Sequence, residues 1–498
     1  MSGAPVPTSA LLDALPDKTV RGILPTTMTG LAYDSRKVSP GDLFVAIAGL
    51  KQDGRRFVGE ALGRGASAVV LEGGNIGGDA PAVIVVPSAR EALARLADRY
   101  FGQPSRALTV VGITGTNGKT TTSLLADALL RASGRATGVI GTIEYRIGAE
   151  RLPDSQTTPE ALELQSLLAR MVERGVAGVA MEVSSHALAL HRVDGIEFDV
   201  AVFTNLTQDH LDFHGTVDAY RDAKARLFRL LASGRKGRRT AVVNADDAAA
   251  PAMVERIDVP VITFGLGAGA VVRPHRFASG FDGVRMDVAT PRGSVVIRSR
   301  LVGEHNVMNL LAAVGIGLAL GMDLAAVAEA LSGVSAVAGR FERVEAGQEF
   351  LVAVDYAHTP DALERVLQTG RKLLSDGGRL AAVFGCGGDR DRGKRPIMGE
   401  IAARLADRAW VTSDNPRSED PDAIIADIVA GIPPGARERH VAVADRRTAI
   451  RAALEWARPG DVVVIAGKGH ETYQIIGSQA LAFDDRAEAL AVLRERYP

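Results

Sequence analysis

The chain has a single cysteine, Cys386, among 498 residues, which excludes an internal disulfide framework and a multi-cysteine zinc site and suits a reducing compartment. Net charge is equally scarce. Lys plus Arg number 58 against 59 Asp plus Glu, and the resulting −1 gives no global field toward nucleic acid or an anionic membrane. Aromatic residues make up only 5% of the chain, and no basic groove interleaved with them is patterned for bases. Long apolar runs are missing too: the longest, Leu310 to Met322, has 13 residues and three glycines, short of the ~20 that a membrane-spanning helix needs. No basic residue precedes Lys18, and Asp13 stands where a signal peptide would be apolar, so a cytoplasmic location is expected.

What is present is an ordinary globular balance, 46% hydrophobic and 23% charged, over a length that suits about three domains. The predicted architecture is α/β in three parts: residues 1–105, a central domain at 106–337 with a mainly parallel sheet, and a Rossmann-like C-terminal domain at 338–498. Short β-rich runs at Leu43 to Ile47, Ala68 to Leu71 and Val83 to Val86 alternate with helical stretches in the first part. Apolar strands are predicted at Leu108 to Ile113, Val176 to Val183, Val200 to Thr204 and Ala241 to Asn244 in the second. The third offers Leu351 to Asp355, Leu380 to Phe384, Ala409 to Thr412 and Val462 to Ala466. The basic cluster Arg235 to Arg239 reads as a solvated loop.

The strongest local signal is Thr114, Gly115, Thr116, Asn117, Gly118, Lys119 and Thr120, between a buried strand and a helical run. Glycines let successive N–H groups converge on one anion, Lys119 adds a point charge, and the Thr120 hydroxyl suits Mg²⁺ at a helix N-terminus. Ile113 stands where the strict eight-residue phosphate loop would have glycine, so the loop is a variant. Glu182 closes an apolar strand and reads as a magnesium ligand, with His210 expected beside it at an adjacent strand end.

Three polar turns follow strands in the third part, at 385–390, 413–417 and 467–471. A dinucleotide fingerprint would need glycine at 390, where Arg390 stands. Arg390 and Arg417, with Asp414 and Glu471, instead suit a small zwitterion, because guanidinium pairs bidentately with carboxylate while a carboxylate accepts from ammonium.

Taken together, these motifs resemble the Mur ligases, ATP-dependent amide-forming enzymes of peptidoglycan synthesis. The resemblance rests on Asp34-Ser35-Arg36 and Pro40 to Phe44, on Thr114 to Thr120, Thr157-Thr158-Pro159, Glu182 to His186, Asp209-His210 and Lys224, and on Gly339 to Glu342, Asp355 to His358 and the three turns. Asp414-Asn415-Pro416-Arg417 is similar to the motif of the members that add meso-diaminopimelate to UDP-N-acetylmuramoyl-L-alanyl-D-glutamate.

The resemblance implies a uridine nucleotide around Tyr33, Ser35, Leu50, Lys51 and Gln52, with its peptide near Thr157, Thr158, Ser184 and Arg192. Leu190 stands where the family often has glutamine. It implies ATP on the phosphate loop with Asn306, Arg340 and Asp355. Diaminopimelate would meet Arg390, Asp414, Asn415, Pro416, Arg417, Gly467 and Glu471. One or two Mg²⁺ would be held by Thr120, Glu182, His210 and a carbamylated Lys224, and Lys119, Glu182, His210 and Lys224 would be catalytic. Composition alone makes Lys224 a surface lysine. The partners implied are these small molecules only, for a chain expected to be monomeric, without nucleic acid or a membrane span. A related ligase, folylpolyglutamate synthetase, shares the loop but does not need the hundred residues that precede it.

Overall fold

The computed structural model describes residues 5–49, 52–73, 82–132, 134–152, 156–207 and 209–497. Its contacts divide the chain into two compact units, one comprising Met1–His275, Val288–Val295 and Met308–Leu331, the other Arg276–Asp287, Val296–Val307 and Ser332–Pro498. No helix among the described residues is long and apolar enough to cross a membrane.

The first unit holds two principal sheets. Near the N-terminus, strands Leu31–Ala32, Leu43–Ala46, Ala68–Glu72 and Ala82–Val86 run parallel, and Thr19–Gly22 adds to the last of them antiparallel. The helix Ala89–Tyr100 covers this sheet. Its start follows from Ser88, whose hydroxyl accepts the N–H of Glu91 at 3.2 Å.

The larger sheet has eight strands in the order Glu150–Leu152, Tyr145–Ile147, Thr137–Ile140, Gly178–Glu182, Thr109–Thr114, Val200–Phe203, Thr240–Asn244 and Val261–Phe264. The last six are parallel, and the first two form an antiparallel edge. Val110, Val111 and Ile113 are fully buried on the central strand, as expected for a sheet covered on both faces. Gly112 leaves room for a neighbour: a Cβ there would lie 2.6 Å from the Phe198 ring.

Two expectations are corrected. The strands ending at Glu182 and Phe203 are not adjacent; they flank Thr109–Thr114 on either side, so Glu182 and the segment after Phe203 border the phosphate loop from opposite edges. The stretch 235–239 is not simply solvated. Lys236 turns inward to bind the Asp199 carboxylate and the Leu108 carbonyl, both at 2.6 Å, because Asp199 also accepts the Val110 N–H and needs a cation there.

In the second unit, Leu351–Asp355, Val462–Ala466, Leu380–Phe384, Arg408–Val411 and His440–Ala442 form a parallel sheet in that order, with Glu342–Arg343 antiparallel at its edge. Strand order departs from chain order, as in a doubly wound sheet, and the three polar turns leave the carboxyl ends of neighbouring strands. A hairpin of Tyr473–Ile476 and Gln479–Ala482 follows.

Candidate active site

The phosphate loop is fixed by the strand beside it. The Thr204 hydroxyl donates to the Asn117 carbonyl at 2.6 Å, Asn205 Oδ1 accepts the Asn117 N–H at 2.9 Å, and the Thr116 N–H reaches the Asn205 carbonyl at 2.8 Å. Gly118 adopts φ +84°, where a side chain is disfavoured, and a Cβ there would also press on Asn309 Oδ1 at 2.5 Å. The helix Lys119–Arg131 begins at once, so its first N–H groups and positive end face the loop. Lys119 folds back, its ammonium donating to the Gly115 and Thr116 carbonyls at 3.0 and 2.9 Å. Thr114 closes the strand with its buried hydroxyl unpartnered.

Glu182 is buried and committed. It accepts from the Thr120 hydroxyl at 3.1 Å and from Thr142 through both the N–H, at 2.8 Å, and the hydroxyl, at 3.1 Å. Thr142 was not singled out from sequence, because nothing in a lone Thr after Gly141 marks it; only the sheet order brings it against Glu182. Thr157 meets the Thr142 hydroxyl at 3.0 Å, Thr158 donates to the Glu182 carbonyl at 2.9 Å, and Ser184 N–H donates back to Thr158 Oγ1 at 3.1 Å. Arg192 donates to the Thr158 carbonyl at 3.0 Å and pairs with Glu160 at 3.3 Å. Thr157, Thr158, Ser184 and Arg192 therefore converge beside Glu182.

On the other side of the loop stands Lys224. It is buried rather than exposed, its amine 4.3 Å from the centre of the Tyr220 ring, and Tyr220 in turn shares a 3.1 Å hydrogen bond with Thr116. Burial, and then the charge of Lys119, holds the Lys224 amine well below the usual lysine range, with Asp209 pulling the other way. His210 lies in the left-handed region at φ +53°, its ring 4.8 Å from His186. Burial lowers the pKa of His210, and His186 falls to about 4 through burial and then the nearby His210 and His214. The cluster is thus poised to stay neutral. Among the described residues no group of three or more His, Cys, Asp or Glu gathers to hold a metal by itself.

Near the N-terminus, Tyr33 donates to Glu163 at 3.0 Å and Ser35 to Glu60 at 2.8 Å. Burial, then Glu163, raises the Tyr33 pKa. Gln52 is exposed, while Leu50 and Lys51 lie outside the described residues.

In the second unit, Asp355 accepts the N–H groups of Phe341 and Ala357 at 2.7 and 2.8 Å, and burial raises its pKa against the pull of Arg340. The Arg340 guanidinium lies 5.3 Å from the Tyr356 ring, and Asn306, buried, donates to the Val302 carbonyl at 2.7 Å. The turns 413–417 and 467–471 meet around Lys468, which is fully buried and which the sequence did not single out. Its ammonium reaches Asn415 Oδ1 at 3.2 Å, Glu471 at 3.3 Å and Asp414 at 3.9 Å, and Asn415 Nδ2 donates to Glu471 at 2.8 Å. Burial raises the Asp414 pKa while Arg446 and Lys468 oppose it. Gly467, at φ +119°, has no room for a Cβ beside Asp414, which stands 2.8 Å away. Pro416 is buried, Arg417 donates to the Gly388 carbonyl at 2.8 Å, and Arg390 is exposed. A flanking Lys between two glycines resembles any solvated turn, and although Glu471 belongs to its own turn, Asp414 and Asn415 come from another strand end.

Three family models match the chain: "Mur ligase family, catalytic domain" over residues 27–101, "Mur ligase middle domain" over 113–317, and "Mur ligase, glutamate ligase domain" over 339–469. The chain is 47% identical to a UDP-N-acetylmuramoyl-L-alanyl-D-glutamate–2,6-diaminopimelate ligase of Syntrophomonas wolfei, over 95% of this chain and 96% of that protein. It is 49% identical to the protein of the same name from Gloeobacter violaceus, over 94% of each. A solved structure of a ligase of that name aligns over the whole of both chains with a TM-score of 0.71 and 35% identity. Mycobacterium tuberculosis folylpolyglutamate synthase in complex with ADP and AMPPCP shares the fold at 20% identity, with a TM-score of 0.62 over 76% of this chain and 92% of its own.

Proposed function

Because the chain belongs to the Mur ligase family, we propose that it joins meso-diaminopimelate to the D-glutamate γ-carboxylate of UDP-N-acetylmuramoyl-L-alanyl-D-glutamate, using ATP, in peptidoglycan synthesis. Three domains divide the work, with boundaries near 105 and 337. The observation that carries the chemistry is the loop before Lys119, tied through the Thr120 hydroxyl to Glu182 at 3.1 Å.

The γ-carboxylate attacks the γ-phosphorus of ATP, ADP leaves, and the acyl phosphate formed is attacked by the diaminopimelate amine to give the amide and phosphate. Two anions must approach in the first step. An uncompensated pair of unit charges 4 Å apart costs about 4 kcal/mol at an effective dielectric of ~20, close to a thousandfold in rate. Lys119 and the helix N-terminus behind it offset that repulsion, so most of the catalysis is positioning and electrostatic stabilisation. Thr120 and Glu182 offer hard oxygen donors of the kind Mg²⁺ takes, on the side of the loop where Thr142 already orients the carboxylate. When bound, Mg²⁺ supplies the remaining charge neutralisation. Lys224, whose amine burial holds well below the usual lysine range, suits carbamylation by CO₂, which would turn it into an anion able to support a second ion with His210.

The peptide end of the uridine substrate lies with Thr157, Thr158, Ser184 and Arg192, and its nucleotide with Tyr33, Ser35 and Gln52. Asn306, Arg340 and Asp355 serve the ATP nucleoside. Arg390, Asp414, Asn415, Glu471 and Arg417 read the zwitterionic ends of diaminopimelate, with Pro416 and Gly467 in the same turns. The folate-ligase reading leaves the first hundred residues without a task.

The test is phosphate release with ATP, the UDP-dipeptide and a panel of amines. Release should require all three, should favour diaminopimelate over lysine by on the order of 10²- to 10⁴-fold in kcat/KM, and should vanish in Lys119→Ala with the fold intact. Equal use of the two amines, or turnover by the variant, would overturn the assignment.

A further inference from the structure

We propose that Glu419 is a positioning residue for the amine substrate: it locks the turn that aims Arg417 and so sets the preference for an amine bearing a distal carboxylate. The inference rests on the reading of Arg417 given above.

Arg417 sits at φ +53° and Asp389, on the facing turn, at φ +54°. Both carry a Cβ in the left-handed region, which the chain keeps only where surrounding contacts impose it. For Arg417 the contacts come from two sides. On one, the hairpin strand Tyr473–Ile476 takes the Arg417 N–H on the Ile475 carbonyl at 3.0 Å, and Gly477 N–H donates to the Arg417 carbonyl at 2.7 Å. On the other, Gly388 N–H donates to the Asn415 carbonyl at 2.9 Å, and the turns pack so closely that a Cβ on Gly388 would lie 1.8 Å from the Pro416 carbonyl oxygen.

Glu419 ties the second side. It accepts the Asp389 N–H at 2.6 Å, while Asp389 accepts from the Ser418 hydroxyl at 2.6 Å and the Ser418 N–H at 3.2 Å. The same carboxylate accepts two N–H groups of Arg395, at 2.9 and 3.1 Å, and forms an ion pair with Arg392 at 2.9 Å. Arg395 rises from the helix Lys394–Leu405, its side chain only 1% exposed, so the anchor is rooted in the core of the sheet domain. Hydrogen bonds from Arg395 and then from the Asp389 N–H lower the Glu419 carboxyl to about 2, keeping it ionised. Glu419 therefore connects a rigid helix to both left-handed turns, and nothing in its contacts requires it to meet a substrate. If it is released, Arg417 keeps its charge but loses its aim.

Glu419→Gln should raise the KM for diaminopimelate about tenfold or more and lower the diaminopimelate-to-lysine ratio of kcat/KM by a similar factor, with kcat and the KM for ATP within about twofold of wild type. Ser418→Ala, at an exposed position, should do the same at about threefold; it decides the matter if Glu419→Gln does not fold. Unchanged diaminopimelate KM and selectivity in a folded variant, or equal rises in the KM of ATP and diaminopimelate, would overturn the proposal. Arg417→Ala is the control. If it too leaves the diaminopimelate KM unchanged, the reading of Arg417 fails instead.

Discussion

A methyl group placed on Gly115 would lie 1.9 Å from the Thr204 hydroxyl, the group that binds the Asn117 carbonyl. At this scale the site depends on atoms that are missing as much as on those present. A different residue shows the cost of burial. Asp98, on the helix Ala89–Tyr100, accepts one hydrogen bond from Gln103 at 3.2 Å, its other oxygen is buried without one, and burial pushes its carboxyl up to about 6. A carboxyl raised in the folded state favours folding when protonated, so its stabilising effect is complete below the unfolded pKa near 3.8 and is lost as pH rises through 6. Asp98→Asn should therefore raise Tm at pH 7 to 8 and flatten the stability profile between pH 4 and 6. Melting curves across that range check this, and a variant less stable than wild type at pH 8 would contradict it.

Among the elements, the C-terminal helix Asp485–Arg496 is fastened to Arg446–Trp456 by the pair Arg446–Asp485, both side chains fully buried and 2.6 Å apart. The Arg446 guanidinium also donates to the Ala466 carbonyl at 3.0 Å, beneath the turn that carries Lys468. Asp485→Ala leaves that cation buried without its partner and should cost about 3–5 kcal/mol, read from urea unfolding. A loss below ~1 kcal/mol would mean that water or another carboxylate compensates. The strands were the most legible elements in sequence, because buried parallel strands are continuous apolar runs: Leu351–Asp355, Leu380–Phe384 and Val462–Ala466 stand where their patterns place them. The loop before Lys119 was equally legible, since its glycines, lysine and threonine are contiguous. Thr142 and Lys468 were not. Each owes its position to a strand far away in the chain, and period-2 or period-3.6 patterning carries no information about which strands become neighbours.

Across the whole molecule, opposite charges are nearly equal in number and interspersed in pairs such as Lys236–Asp199 and Arg395–Glu419. Without a net field the protein should not shift a DNA fragment in a mobility assay at ~100 mM salt, where non-specific binding depends on counterion release. Retention of DNA under those conditions would mean that local clusters act together. The fold of a folylpolyglutamate synthase extends over 76% of the chain, and that of the diaminopimelate ligase structure over all of it. Finally, the notch at Gly112 lets the Phe198 ring pack directly on the strand that leads into the loop before Lys119. Any bulkier residue there would lift the strand and tilt everything downstream. A screen for lost turnover would therefore score position 112 as though it handled the reactants, when its whole contribution is to stay out of the way.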